Sequence, residues 1–263
     1  MHAESMRPME VSTVRALNAL NRRFYAAIAD EWQASREHPW PGFERVVQAA
    51  VATGHDKLRV LDVGAGDARF AEYLTARCTM PFEYVGIDAS RELIARAQNR
   101  KLSPSCTLQH ADFVEQADWL SALQLRPQSL AALFGVMHHV PSLALRKQLL
   151  ATVASALAPR GLLAITFWRL HQDERFAKRV VSWEDYNYRA ARPIAESELE
   201  PGDTLLTWSD GDAPPRYCHF ADDAEIEELA ASTGLRTLER FRSDGRGGQL
   251  NEYLILQRPS DAG

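Results

Sequence analysis

Leu58-Arg59-Val60-Leu61-Asp62-Val63-Gly64-Ala65-Gly66-Asp67-Ala68-Arg69 is the stretch on which the fold turns. Residues 58–63 form a short apolar run bounded by Lys57 and a glycine turn, as expected of a strand buried on both faces. Gly64 and Gly66 let the backbone turn tightly and approach a ligand with no Cβ in the way. Helical spacing then resumes over 68–77.

The same rhythm repeats downstream. Strands are expected at 82–87, 106–109, 130–135 and 162–167, with helices at 91–99 and 143–157 between them. Alternation of this kind implies right-handed βαβ units in a doubly wound, mostly parallel α/β sheet. After a helix at 222–233, strands at 235–241 and 252–257 read as an antiparallel closing pair. Ahead of the sheet, Val14, Leu17, Leu20, Phe24, Ile28 and Trp32 recur at helical spacing over 13–34, Pro39 and Pro41 interrupt, and a second helix follows at 42–51. The division expected is a helical extension over 1–56 and a main domain over 57–258. Residues 168–220 break the rhythm with aromatics, prolines and charges, and are read as an insertion over the carboxyl edge of the sheet, where specificity resides.

Bulk properties exclude several classes. A chain of 263 residues, 46% hydrophobic and 25% charged, suits one large domain. No apolar run approaches the roughly 20 residues of a membrane span, and the first thirty residues lack a signal-peptide core, so a soluble, cytoplasmic protein without membrane partners is expected. The three cysteines Cys78, Cys106 and Cys218 are widely spaced, which suggests inert thiols and neither a disulfide framework nor a metal site. A net charge of −5 counts against nonspecific coating of nucleic acid. Charge is uneven, however: Arg169, Arg175, Lys178, Arg179, Arg189 and Arg192 lie in the insertion against Asp173, Glu174, Glu184 and Asp185, while 222–228 is acidic. A solvated helix face explains either cluster equally well.

In a dinucleotide loop the third small residue falls at position 69, which here is Arg69, so a pyrophosphate-binding helix start is disfavoured. Asp62 and Asp67 would repel a pyrophosphate and suit the ammonium of a methionine moiety. The second strand ends in Asp88, placed to accept both hydroxyl protons of a ribose. The third leads to Asp112 and Phe113, an acid for an adenine amino group beside an aromatic wall; a helix cap is the other reading of Asp112. Gly135 closes the fourth strand and opens Gly135-Val136-Met137-His138-His139-Val140, one of whose histidines is expected to line a pocket at the carboxyl edge.

With Asp62, Gly64, Gly66, Asp88 and Asp112 in this order, residues 57–258 resemble class I S-adenosylmethionine (SAM) dependent methyltransferases, which implies a Rossmann-like fold and SAM as cofactor. Tyr25-x-x-Ile28-Ala29 with Ser35-Arg36-x-x-Pro39-Trp40-Pro41, Gly202-Asp203-Thr204-Leu205-Leu206-Thr207-Trp208, and Arg216-Tyr217-Cys218-His219-Phe220 are similar to elements of the tRNA wobble-uridine methyltransferases that esterify 5-carboxymethyluridine, including the domain fused to AlkB-type tRNA hydroxylases. Cys218 stands where that family favours tyrosine, Glu252 where it has tryptophan, and Ala68 where a third glycine is common. The resemblance implies tRNA as partner, a small zinc-binding activator protein, and Arg36 and Arg216 as guanidinium forks orienting the acceptor carboxylate. Ordinary surface ion pairs are the plainer reading of both arginines. His219 is the expected base should the acceptor be a hydroxyl or amine. Trp40 and Tyr217 are each read as a stacking platform or a core residue. A small-molecule O- or N-methyltransferase on the same scaffold is the alternative function, and a noncatalytic SAM-binding subunit the third.

Overall fold

The computed structural model describes residues 8–34, 38–169, 174–208 and 213–260. Five parallel strands, β1 (Leu58–Val63), β2 (Phe82–Asp88), β3 (Cys106–His110), β4 (Gln128–Leu133) and β5 (Leu157–Trp168), join β9 (Arg236–Ser243) and β10 (Asn251–Gln257) in a seven-stranded sheet of order β3-β2-β1-β4-β5-β10-β9. β10 runs antiparallel to both neighbours, as the sequence predicts for its closing pair. The central strands β1 and β4 are buried along almost their whole length because helices cover both faces. α2 (Gly42–Ala52) and α3 (Arg69–Arg77) bury Phe43, Val46 and Leu74 against Val60, Leu162 and Ile255. α6 (Leu143–Ser155) and α9 (Asp223–Ser232) cover the other face with Leu150, Val153, Ile226 and Leu229. α4 (Arg91–Ala97) and the single turn α5 (Trp119–Ala122) complete the crossovers. β9 lies on the edge with Arg236, Glu239, Arg240 and Arg242 along it, charges that discourage further strand pairing.

Several boundaries move for local reasons. Ala68 adopts left-handed backbone (φ 62°), so α3 begins at Arg69. Gly135 turns at φ 74°, which stops β4 at Leu133. β5 begins at Leu157 because that residue already pairs with Gln128, five residues before the expected strand start at 162. α2 belongs to the main core, so only α1 (Val11–Ala34) extends beyond the sheet domain at the amino end.

The insertion folds around a second sheet. α7 (Glu174–Ala177), α8 (Trp183–Arg189) and the antiparallel strands β6 (Val180–Val181), β7 (Asp203–Leu206) and β8 (Arg216–His219) pack on α1 through Leu17, Leu20, Ile194, Leu205 and Tyr217. α1 and the insertion thus share one core, laid across the carboxyl edge of the main sheet. Among the described residues, no helix is long and apolar enough to cross a membrane.

Candidate functional site

Beneath α1, the carboxyl ends of β1, β2 and β4 enclose a cavity of about 480 Å³, within the range of small-molecule sites. Parallel register sets Val63 beside Ile87, and the amides of Gly64 and Ala65 both donate to the Ile87 carbonyl (2.8 and 2.9 Å). Gly64 has φ 77°, and a Cβ there would meet Val136 Cγ2 at 2.3 Å. A Cβ on Gly66 would meet nothing within 4 Å: this backbone faces open space, as a cradle for a ligand must.

Asp88 holds the loop. Its Oδ2 accepts from the Gly66 amide and its Oδ1 from the Ser90 amide, both at 2.8 Å. Asp88 lines the cavity, and each oxygen has acceptor capacity beyond its one amide, which is what a bidentate acceptor for a ribose diol requires. Burial pushes its pKa up to about 6, against the pull of those two amides. Asp62 is buried on the same wall and accepts from the Tyr84 hydroxyl (2.6 Å). Burial raises it to about 7, with the tyrosine opposing. Asp67 also reaches the cavity, but Arg100 pairs with it and Arg69 lies 3.8 Å away. Its charge is spoken for, and the expectation that it shares an ammonium with Asp62 is corrected accordingly.

Phe113 and Gly135 line the cavity; the Gly135 amide donates to Thr166 Oγ1 (2.8 Å). Asp112 does not line it. Its Oδ1 accepts from the Val114 and Glu115 amides (3.0 Å each), and its Oδ2 from Arg22 (2.8 Å) and Asn18 (3.3 Å). These bonds cap the turn at 113–115, where no helix begins, and they occupy the carboxylate expected to meet an adenine.

At the far end stand Tyr25, His139 and Trp168. His139 Nδ1 lies 2.9 Å from the Tyr217 carbonyl, which can only accept, so Nδ1 carries the proton. Nε2 therefore accepts from the Tyr25 hydroxyl at 2.7 Å. His138 lies against the His139 ring, centroids 4.0 Å apart, and stacks on Trp168. Trp40, left open by the sequence, is a cavity wall braced by Phe43 and Phe134. Tyr217 is core, its hydroxyl donating to Asp203 (2.7 Å).

Arg216 is 2% exposed, so the surface ion pair is excluded. Its guanidinium carbon sits 4.8 Å from the Phe24 ring, 5.1 Å from Trp168 and 5.8 Å from Trp208. Nε and Nη1 have no hydrogen-bond partner among the described residues. Trp168, one of these three rings, lines the cavity, whereas Arg216 itself does not. Burial pushes the neighbouring Cys218 thiol up to about 11, which keeps it inert. Arg36 lies outside the described residues.

His219 is not a base. Nδ1 faces Asp203 (2.8 Å) and Nε2 faces Glu225 (2.7 Å), so both nitrogens donate. Burial alone would lower its pKa, but the two carboxylates outweigh it and hold an imidazolium. Glu225 and Glu200 also bind the fully buried Arg146 (2.7 and 2.6 Å), making a saturated seam between the insertion and α6 and α9. Glu200, Asp203 and His219 are close enough together to hold a cation, as are His138, His139 and Cys218. In the first group, however, His219 already neutralises Asp203. Arg169, counted among the insertion's basic residues, is buried on Glu252 and Asp223 and presents no charge outward. Sequence reasoning passed over Arg69 as a site residue and Tyr25 as a chemical group; a polar-tipped aromatic on an otherwise apolar helix stripe was the available signal for the latter.

The sheet order, the glycine turn after the first strand and the carboxylate after the second define a Rossmann-like SAM-dependent methyltransferase. Residues 32–240 match the family described as a methyltransferase domain, and the chain belongs to that family. No curated protein matches the sequence. Solved structures similar to this one include magnesium protoporphyrin IX methyltransferase of Synechocystis PCC 6803 with bound SAH (TM-score 0.62, 14% identity, 92% of this chain and 99% of that one). The amino pentose methyltransferase CalS10 of Micromonospora echinaspora with bound SAM superposes with a TM-score of 0.56 at 17% identity, covering 88% of this chain and 96% of that one. The N-methyltransferase NodS of Bradyrhizobium japonicum WM9 with SAH gives 0.54 at 16%, covering 93% and 98%. Open backbone at Gly66, the free lone pairs of Asp88 and the uncompensated Asp62 fit SAM, the cofactor of this enzyme.

Proposed function

We propose that the enzyme methylates the carboxylate of a 5-carboxymethyl wobble uridine in tRNA, forming its methyl ester. The observation that carries this reading is Arg216, a buried guanidinium among three aromatic faces with two donors unmatched by any described residue. An uncompensated interior charge is costly unless an anion completes it, and a carboxylate is the anion that an arginine fork fits in bidentate geometry. Bound SAM supplies an electrophilic methyl group. A carboxylate acceptor is ionised at neutral pH and needs no base, so the residues' work is to hold it in line about 3 Å from that methyl carbon. The motifs around Tyr25, Gly202 and Arg216 support the nucleoside as its bearer.

The Tyr25–His139 pair favours a second reading, a small-molecule O- or N-methyltransferase. His139, oriented by the Tyr217 carbonyl, lies on the cavity wall beside the Tyr25 hydroxyl, and the pair can relay a proton from a hydroxyl or amine. The amino pentose and N-methylating neighbours suit that chemistry. Labelled methyl transfer from SAM into total tRNA, and separately into a metabolite extract, decides between them, with the Asp88→Ala protein as background. Label in tRNA released by mild alkali means an ester and supports the first reading; label in metabolites alone overturns it in favour of the second.

A further inference from the structure

Trp168 ends β5, and its neighbours hold it still. It pairs with Asn251 in the sheet, the Arg169 amide donates to the Leu250 carbonyl (2.9 Å), and the His138 ring stacks on the indole with centroids 3.6 Å apart. Leu206 and Cys218 pack around it. The residue is 7% exposed and lines the cavity. A buried indole ordinarily finds a partner for its one donor. Nε1 of Trp168 makes no hydrogen bond to any described residue, yet it is not sealed in protein. Its outlook is set by Gly135, where a Cβ would lie 4.0 Å from Nε1 and 3.3 Å from Trp40 Cη2. The missing side chain leaves open the space between two indole edges. Val136, the next residue, abuts Gly64 and so ties this end of the cavity to the glycine turn. Arg216 stands 5.1 Å from the centre of the Trp168 ring without lining the cavity. An anion in the cavity therefore feels the guanidinium charge across the indole, but needs another donor to bond.

We infer that the Trp168 Nε1–H binds the acceptor carboxylate, holding one of its oxygens and leaving the other bare for transfer. This rests on the carboxylate reading above and adds to it the side chain that touches the acceptor. A donor locked in place by packing costs no reorganisation when the acceptor arrives.

Two measurements on the full chain test the assignment. In the SAH complex of the wild type, the Trp168 indole proton resonance should move downfield on titration with 5-carboxymethyluridine and hold still with uridine, which lacks the carboxylate. The resonance is assigned by its loss in Trp168→Phe, or by contacts to the His138 ring if that variant does not fold. In steady-state transfer, Trp168→Phe should lower kcat/KM for a tRNA bearing 5-carboxymethyluridine by about 10- to 150-fold, the range of a lost hydrogen bond to a charged group, with calorimetric SAM affinity unchanged. A resonance unmoved by bound 5-carboxymethyluridine, or moved equally by uridine, overturns the inference without any variant having to fold. Normal turnover by Trp168→Phe overturns it, as does a loss of SAM affinity as large as the loss of turnover, which makes the indole a wall for the cofactor. Wild-type protein that binds SAM but neither binds nor methylates a carboxymethyluridine probe overturns the carboxylate reading itself, and this inference with it.

Discussion

Two sets of buried charges at the carboxyl edge of the sheet are built on opposite plans. In the seam under the insertion, Arg146 meets Glu200 and Glu225, and His219 meets Asp203 and Glu225. On the cavity wall, Asp62 has a tyrosine hydroxyl and Arg69 a distant carboxylate committed elsewhere, and behind Trp168 of that wall Arg216 has three aromatic rings. An interior charge without its opposite is unfavourable. The first set is therefore complete as a fold, and the second becomes complete only when ligands arrive.

The largest expected effect is on the closed set. Removing one partner with His219→Ala should cost about 3–5 kcal/mol of stability, because Asp203 and Glu225 are left buried and uncompensated; the denaturant midpoint reads this. The pH dependence has a definite sign. The folded-state pKa of His219 is raised, so its contribution is present below the ordinary histidine pKa and is lost as pH rises through the folded value. Arg216→Met should behave oppositely, leaving stability level or improved while lowering turnover on a carboxylate acceptor by roughly 100-fold, about 2.7 kcal/mol. Equal destabilisation by the two substitutions would erase the distinction between the sets.

Smaller effects sharpen it. Asp88→Ala should weaken SAM by about 1.5–3 kcal/mol in calorimetry, the range for a hydrogen bond to a charged group; unchanged affinity would remove the ribose assignment. Asp62 must ionise to meet an ammonium, and its pKa in the empty site is about 7. SAM affinity should accordingly rise about tenfold between pH 6 and pH 8, and Asp62→Asn should flatten that dependence. Stability of the ligand-free protein should move the other way. The raised pKa means that the unfolded chain ionises Asp62 first, so stability falls as pH climbs from about 4 to about 7 and then levels off.

What could be read from the sequence follows the same division. Strands buried on both faces declare themselves as apolar runs, and the loop at Gly64 and Gly66 with Asp88 after the next strand sits where local pattern put it. Asp112 misled because an acid that caps a turn and an acid that meets a ligand look alike after a strand; only the Val114 and Glu115 amides and Arg22 separate them. His219 misled because its partner Asp203 lies directly across the β7–β8 register, a pairing of strands four residues long with no alternation to announce it. The box around Arg216 draws on Phe24 of α1, Trp168 of β5 and Trp208, three segments that only tertiary folding assembles. Tyr25 and His139 meet across a comparable separation.

α1 is a rod of 24 residues, about 36 Å long. One side of it is glued to the insertion by Leu17 and Leu20, while Arg22 and Tyr25 on another roof the cavity. The same rod therefore belongs both to the core of the insertion and to the wall of the cofactor cavity. A continuous helix spanning both regions makes the insertion and the cavity wall parts of one packed unit, so a substitution that loosens Leu17 or Leu20 is felt at Arg22 and Tyr25.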